Sequence, residues 1–318
     1  MLYYCKKKRK IEEKTSKNKM ERYRHLNTYL KEKFGERTLK IPVDGGFTCP
    51  NRDGKVSVGG CAFCSERGSG EHLKNKSIPD QVREHLNSYR GERANKFIVY
   101  FQNFTNTYDE VESLKQKYDS SLIDEKIVGI DIATRPDCIN EEIVNLLKKY
   151  KEKYYVSVEL GLQTANDNTA KLLNRGYNLQ MFTKAVKLLN DAKIDVVIHI
   201  MLGLPNETKE DLIETINYLN TLNYQGIKIH STYIVKGTVL EKWYKEGKYI
   251  PITLEDYLNQ LTYVITHIKK DIVIHRITGD APKDMLIAPE WNLHKKWVLN
   301  GLDKILKENN LCQGDALN

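Results

Sequence analysis

Short apolar segments alternate along the chain with longer amphipathic segments. The short segments are nearly continuous runs rich in valine and isoleucine, which indicate strands with both faces covered. They fall at residues 38–43, 97–102, 127–133, 154–160, 195–200 and 226–230. Helical segments lie between them, at residues 79–93, 109–120, 140–152, 178–192 and 207–222. In the fourth of these, Leu179, Phe182, Val186 and Leu189 recur at helical spacing and define one apolar face.

Repeated β–α units of this kind predict a parallel sheet wrapped by helices. We expect an α/β fold, a partial (β/α)6 TIM-like barrel, with a doubly wound open sheet as the alternative. From about residue 253 the pattern becomes mainly helical, at residues 253–269 and 294–309, with an extended segment at 272–277. We therefore predict a core over residues 19–252 and a C-terminal helical extension over residues 253–318, which adds a layer or a lid.

The amino-terminal residues carry much of the basic charge. Residues 1–18 are polar and rich in lysine, so we expect a flexible tail, followed by a helix from about Met20 to Phe34 that Gly35 ends. The formal net charge of the chain is +8. A solvated tail and an arm that neutralises RNA phosphates both fit this charge.

The composition excludes several classes of protein. With 318 residues and 40% hydrophobic residues, the chain can bury a large core. We find no apolar run near the roughly 20 residues that cross a bilayer, and no signal-peptide pattern. Six cysteines in such a long chain argue against a disulfide scaffold, so we expect a reducing, cytoplasmic location and no membrane partner.

Polar and glycine-rich segments follow each predicted strand. Because the carboxyl ends of parallel strands meet at one rim, these segments should lie together, and ligands bind at this rim in either architecture. The segments are residues 44–46, 103–106, 134–137, 161–163, 203–205 and 231–233.

Three cysteines follow the first predicted strand in a glycine-rich loop. Eleven residues separate Cys49 from Cys61, and two separate Cys61 from Cys64. Three thiolates can hold three irons of a four-iron cluster and leave the fourth iron open, and nearby glycines permit close backbone approach. A zinc site with His72 as fourth ligand, or a redox pair, are the alternatives. Isolated cysteines are usually small buried hydrophobes, as we expect for Cys5, Cys138 and Cys312.

The motifs together resemble the radical S-adenosylmethionine (radical SAM) superfamily. Phe63 precedes the last cysteine of the loop, as an aromatic residue does in such enzymes. The closer resemblance is to the YhcC/YtqA-type branch, which is related to the radical SAM domain of the Elongator catalytic subunit. The resembling strings are VDGGFTCPNRDG at 43–54, YFQNFTNT at 100–107, IATRPD at 132–137, VELGLQT at 158–164, GIKIH at 226–230 and HRITGD at 275–280. The superfamily usually has three residues between its first two cysteines, a gap that this branch lengthens.

The resemblance implies a chemistry and two cofactors. Cys49, Cys61 and Cys64 would bind a 4Fe-4S cluster, and S-adenosyl-L-methionine would chelate the open iron. Reductive cleavage of the cofactor would then give a 5′-deoxyadenosyl radical that abstracts hydrogen from a C–H bond. An external electron donor, flavodoxin-like or ferredoxin-like, is expected.

The resemblance also suggests roles for residues at the rim. Phe63 would lie by the adenine, and Gln102, Asn103 and Thr105 would meet the methionyl amino group. Thr134 and Arg135 would reach the ribose or the carboxylate. The other cofactor-binding candidates are Glu159, Gln163, Arg175 and Gly203.

Two of the candidates are also catalytic candidates. Glu159 stands in an otherwise apolar strand, where an unpaired carboxylate would be costly, and His230 ends a strand that points toward the rim. His199 and His275 lie in similar apolar strands, and a core role is the alternative for all three histidines. Arg175 could instead pair with a surface carboxylate.

The substrate follows from the resemblance alone. The related Elongator domain acts in wobble-uridine modification of tRNA, so this chain would act on a 5-carboxymethylaminomethyl-type uridine and trim its side chain. Trp291 and Trp297, with Lys295 and Lys296 between them, would suit RNA or pack within a helix. The alternatives are a radical SAM enzyme that acts on a small metabolite or a protein side chain, and a non-catalytic zinc-stabilised RNA-binding protein.

Overall fold

The structure is a computed structural model that describes residues 21–68 and 76–317. Its strands are Thr38–Val43 (β1), Lys96–Phe101 (β2), Ile127–Thr134 (β3), Tyr155–Gln163 (β4), Asp195–Leu202 (β5), Gly226–Ser231 (β6), Ile234–Val235 (β7), Val273–Arg276 (β8) and Leu286–Ala288 (β9). Seven of them form one curved parallel sheet in the order β1-β2-β3-β4-β5-β6-β8. The order never reverses, as it would in a doubly wound sheet, and the edges β1 and β8 do not pair. The predicted partial TIM-like barrel is confirmed.

Helices cover the outer face of the sheet. They are Leu26–Phe34 (α1), Ile78–Leu86 (α2), Val111–Asp119 (α3), Glu141–Lys151 (α4), Asp167–Leu172 (α5), Leu179–Asp191 (α6), Lys209–Thr221 (α7), Val239–Lys245 (α8), Leu254–His267 (α9) and Lys295–Glu308 (α10). The predicted apolar face of α6 is buried at Phe182, Val186 and Leu189. Asn178 and Thr208 cap α6 and α7 by accepting backbone N–H groups of the first turn, which explains where these helices begin.

Among the described residues the first helix begins at Leu26, and residues 21–25 are not helical, so the predicted start near Met20 was wrong. His25, just before it, forms a parallel bridge with Ile274 of β8, and an extended residue cannot also be helical. Helix α1 then contacts both edge strands, β1 and β8. The ring of Phe34 packs edge-on against Tyr155, which begins β4, at 5.8 Å between centroids. Helix α1 therefore lies at the amino ends of the strands, opposite the predicted rim.

The C-terminal residues contribute to the barrel itself. The two predicted helices are α9 and α10, but the extended segment between them is β8, which pairs in parallel with β6. The sheet therefore has seven strands where six were predicted. In addition, β7 and β9 form an antiparallel pair beyond the carboxyl end of β6. The domain boundary near residue 252 stays a prediction.

Some predictions concern residues that the structure does not describe. The basic tail over residues 1–18, Cys5 and His72 all lie outside the described residues. Over residues 21–68 and 76–317, we find no helix with the length and apolar character that crossing a membrane requires.

Candidate functional site

The three cysteines of the loop line a single cavity of about 600 Å³. The loop follows β1 and lies at the carboxyl ends of the strands. It is held from outside by the segment after α5, because Asn174 donates its side-chain amide to the Gly60 carbonyl at 2.9 Å. The backbone N–H of Ala62 donates to the Leu173 carbonyl at 2.9 Å. Helix α5 was not predicted from the sequence, yet its end anchors the cysteine loop.

Arg52 holds the two ends of the loop together. Its guanidinium donates to the carbonyl of Ser65 and, at 3.4 Å, to the carbonyl of Cys64. A Cβ at Gly60 would lie 2.9 Å from Arg52 Nε, and the φ of Gly60 is +80°. Gly60 is therefore required both for the turn before Cys61 and for the room that Arg52 occupies.

The thiols need a positive charge beside them to act as thiolates. Burial, with Cys64 nearby, raises the pKa of the Cys61 thiol. A bound metal centre would supply this charge, and its binding would release the thiol protons. In the part of the chain that the structure describes, no three His, Cys, Asp or Glu side chains meet closely enough to hold one metal ion. Three thiols that line one cavity fit an iron–sulfur cluster, in which each thiolate binds a different iron.

Most of the predicted site residues line the same cavity as the cysteines. Thr105 Oγ1 and His230 Nε2 are buried there and have no hydrogen-bond partner within residues 21–68 and 76–317. Buried polar atoms of this kind normally bind a protein group or a ligand. The predicted residues that line the cavity are Phe63, Gln102, Thr105, Thr134, Arg135, Glu159, Gln163 and His230.

Three predicted cofactor-binding residues lie outside the cavity lining. Asn103 is buried and donates its amide to Asp44 at 2.8 Å. Gly203, with φ +75°, makes room for Ile252, which a Cβ would approach to 2.6 Å. Arg175 is 1% exposed and donates to the carbonyls of Leu162 and Thr164 at 2.6 and 2.8 Å. Arg175 also pairs with Asp167, whose side chain is 43% exposed, at 3.2 Å, as the alternative predicted. The structure thus places Arg175 outside the cavity lining, where its buried guanidinium joins the end of β4 to a surface carboxylate.

Arg135 and Gln163 shape the cavity wall between β3 and α6. Arg135 forms a two-bonded ion pair with Asp137, at 2.9 and 2.7 Å, so its charge is already balanced. Gln163 has a φ of +61°, which non-glycine residues rarely adopt. Tyr177 fixes this conformation by donating to the Gly161 carbonyl at 2.6 Å. Strain of this kind often marks a functional site.

The barrel interior below the cavity contains a buried network of charges. Glu159 accepts hydrogen bonds from Lys40 at 3.0 Å, from Lys228, and from His199 Nε2 at 2.8 Å. Lys40 also pairs with Asp131, which accepts a hydrogen bond from Ser157 at 2.6 Å. Both oxygens of Glu159 therefore have cationic or histidine partners, which explains how a carboxylate is tolerated at this depth.

Residues of this network have strongly shifted pKa values. Burial alone would raise the pKa of Glu159, but Lys228 and Lys40 outweigh it and hold the pKa well below its usual value. Burial lowers the pKa of Lys228 to about 8, although Glu159 opposes the shift. Burial, helped by His199, also lowers the pKa of His230 well below its usual value, so this imidazole is neutral at pH 7.

Sequence reasoning found Glu159 but missed its partners. Lys40, Asp131 and Lys228 are charged residues inside apolar strands, the same signal that singled out Glu159. The parallel register brings them together, since Asp131 aligns between Tyr100 of β2 and Ser157 of β4. A search for every charged residue in an apolar strand would therefore have found the whole network.

Comparisons with known proteins match this architecture and this loop. The sequence profile of the Radical SAM superfamily matches residues 49–219, and that of the Radical_SAM C-terminal domain matches residues 224–308. The chain is 40% identical to the uncharacterized protein YtqA of Bacillus subtilis over 300 residues, 93% of each chain. It is 31% identical to a tRNA uridine(34) acetyltransferase of Dehalococcoides mccartyi over 51% of this chain and 36% of that protein. Among solved structures, archaeal Elp3 of Methanocaldococcus infernus superposes with a TM-score of 0.66 at 20% identity, covering 87% of this chain and 64% of that one.

Proposed function

Because the chain belongs to the radical SAM superfamily and is a radical SAM enzyme, we propose that it modifies the side chain of a wobble uridine in tRNA. The predicted YhcC/YtqA-type branch is confirmed by the similarity to YtqA. The cofactors of the superfamily are a 4Fe-4S cluster and S-adenosyl-L-methionine, and this chain uses both. When bound, they supply the one-electron chemistry that activates an unreactive C–H bond.

One observation is the main support for tRNA as the proposed substrate. Half of this chain aligns with a protein whose name states that it acts on uridine 34 of tRNA. The charge of the chain, +8, supports a polyanionic partner. The substrate that we propose is a 5-carboxymethylaminomethyl-type uridine, whose side chain the enzyme trims.

The cavity offers distinct groups for the cofactors and for this substrate. Cys49, Cys61 and Cys64 would hold the cluster, since they are the thiols of the lining. Thr105 Oγ1 would bind the polar end of S-adenosylmethionine, because this atom is buried without a partner in the described part of the chain. Phe63, Gln102, Thr134, Arg135 and Gln163 complete the proposed cofactor side. Asn103, Arg175 and Gly203 would act on it only through the shape of the loops.

Two residues face the proposed substrate. His230 would form a hydrogen bond with a polar group of the substrate through Nε2, because this buried atom has no partner in the described chain. Glu159 would position Lys228 and His199 at the cavity floor, since its own oxygens are already bonded. We therefore assign hydrogen bonding to the substrate to His230 and positioning to Glu159.

The test compares the modified nucleosides of total tRNA from cells with and without the gene. Loss of the protein should leave the carboxymethylaminomethyl-type uridine to accumulate while its shorter product disappears. The wild-type gene and a Cys138→Ala variant should restore the product, whereas Cys61→Ala should not. An unchanged nucleoside profile in the deletion strain would reject tRNA as the substrate and favour a small metabolite or a protein.

A metal analysis tests the assignment of the cysteines separately. The protein purified without oxygen should contain about four irons per chain and be brown. One colourless zinc per chain, with no iron, would instead support the non-catalytic alternative.

A further inference from the structure

An exposed aromatic stack begins helix α10. The rings of His294 and Trp297 lie 4.1 Å apart between centroids and within 17° of parallel, and Trp297 is 53% exposed. Trp291, which the sequence pattern groups with Trp297, is instead 7% exposed and donates Nε1 to the Ile252 carbonyl at 3.1 Å. The two tryptophans therefore differ: Trp291 packs in the core, and Trp297 presents a fixed ring to solvent.

This stack lies beside the mouth of the cavity. Lys295 pairs with Asp280 at 3.0 Å, and Asp280 pairs with Arg276 at 3.3 Å. Arg276 and Asp280 both line the cavity. The turn before α10 is fixed as well, because Ser231 at the end of β6 donates to the buried amide oxygen of Asn292. We call His294, Lys295, Lys296 and Trp297 the mouth patch.

The two lysines of the mouth patch lie at the end of their helix where positive charge is unfavourable. Lys295 and Lys296 occupy the first turn of α10, which has no acidic residue and no side-chain cap. The amino end of a helix carries partial positive charge, so two lysines there cost stability. Asp280 offsets Lys295, but Lys296 is exposed and appears in no ion pair of the described chain. A local arrangement that costs stability without a compensating contact is typical of a functional surface.

We propose that the mouth patch binds the single-stranded RNA next to the nucleotide that enters the cavity. Trp297 stacks on a neighbouring base, and His294 holds the indole in place for it. Lys296 contacts a backbone phosphate. Stacking on aromatic rings with basic residues beside them is how proteins bind unpaired nucleotides. The inference rests on the proposed function, because it places the RNA around the same cavity.

The experiment measures the affinity of the purified full-length protein for a fluorescent tRNA anticodon stem-loop across a range of KCl concentrations. Trp297→Ala should weaken binding about tenfold, while Trp297→Phe should retain most of the affinity because a ring remains. Lys296→Gln should weaken binding and reduce the slope of log affinity against log salt by about one. Ile250→Ala, at an apolar residue 83% exposed and outside the mouth patch, should bind as the wild type does.

The outcomes separate this inference from the proposed function. If the wild type does not bind the stem-loop, both fail. If it binds but Trp297→Ala and Lys296→Gln bind equally well, the mouth patch is not the RNA surface, although the proposed function stands. Sedimentation of the same variants tests a protein partner: if Trp297→Ala changes the oligomeric state and not RNA affinity, the patch is an interface between copies of the chain and the inference is overturned.

Discussion

The side-chain amide of Asn51 donates a hydrogen bond to the sulfur of Cys61, with 3.6 Å between Nδ2 and Sγ. Asn51 lies within the eleven residues that separate Cys49 from Cys61. It is fully buried, and its carbonyl accepts the backbone N–H of Gly60 at 2.8 Å. The long gap between the first two cysteines therefore contains its own support for the second one.

Replacing Asn51 should change the redox properties of the cluster. A hydrogen bond to a ligand sulfur stabilises the more negative, reduced cluster, so its removal should lower the reduction potential. We expect Asn51→Ala to retain iron but to shift the potential of the reconstituted protein downward by roughly tens of millivolts. A redox titration followed by electron paramagnetic resonance measures this shift.

A matched control lies in the same loop. Ser57 donates to Asn174 Oδ1 at 3.1 Å and so helps to anchor the loop. Because this hydrogen bond does not involve a cysteine sulfur, Ser57→Ala should leave the reduction potential unchanged. Equal potentials in Asn51→Ala and the wild type would show that this hydrogen bond does not tune the cluster.

The sequence predicted the cysteine loop well because its chemistry is local. Three cysteines, their glycines and the preceding strand are contiguous, and no distant residue is needed to recognise them. The anchor of the loop could not be predicted in this way, since Asn174 is 114 positions from Gly60 along the chain. Arg175, next to this anchor, was assigned to the cofactor from its order in the chain, yet its guanidinium donates to the carbonyls of Leu162 and Thr164. Order along the chain places a residue near the rim but does not say which way its side chain points.

The strands and most helices were predictable because their patterns span many residues. Helices α5 and α8 have only 6 and 7 residues, so a helical period is barely visible in them. Strand β8 was recognised as extended, but its place in the sheet depends on pairing with β6, a contact between residues such as Gly226 and Val273, 47 positions apart. Long-range pairing of this kind leaves no periodic signal in the sequence.

Each of the three loop cysteines should be essential for cofactor cleavage. Cys49→Ala, Cys61→Ala and Cys64→Ala each remove one of the thiols that the cavity offers the cluster. We expect each variant to abolish the production of 5′-deoxyadenosine from S-adenosylmethionine under reducing conditions. Cys138→Ala is the control, because Cys138 does not line the cavity and its backbone carbonyl accepts a hydrogen bond from Thr107. Retained cleavage in any loop variant would contradict the assignment of the ligands.

Glu159→Gln should strongly destabilise the barrel. The substitution leaves Lys40 with one of its two carboxylate partners, Asp131, and leaves Lys228 buried beside a neutral amide. Removing one partner of a buried ion pair typically costs about 3–5 kcal/mol. Urea unfolding followed by circular dichroism measures the free energy of unfolding.

The control for Glu159 is Glu125→Gln, at an exposed residue of the loop before β3. This change should alter the unfolding free energy by less than about 0.5 kcal/mol. A Glu159→Gln variant as stable as this control would mean that the ion pairs of Glu159 with Lys40 and Lys228 do not contribute to the free energy of unfolding.

Glu207 should make the stability of the protein depend on pH. It follows β5, and burial raises its pKa to about 7, against weaker opposing hydrogen bonds from Thr164 and Thr169. The unfolded value is 4.5, so between pH 4.5 and 7 the native state binds more protons than the unfolded state does. The contribution of Glu207 is therefore fully present below pH 4.5 and is lost as the pH rises through 7. At about 1.4 kcal/mol per pKa unit, the loss is at most about 3.5 kcal/mol. We expect Glu207→Gln to match the wild type near pH 5 and to be about 2 kcal/mol more stable at pH 8, by urea unfolding at both pH values.

Glu214→Gln, at an exposed residue of α7, should follow the wild type throughout. A constant difference between Glu207→Gln and the wild type across this range would mean that Glu207 does not titrate near neutral pH in the native protein.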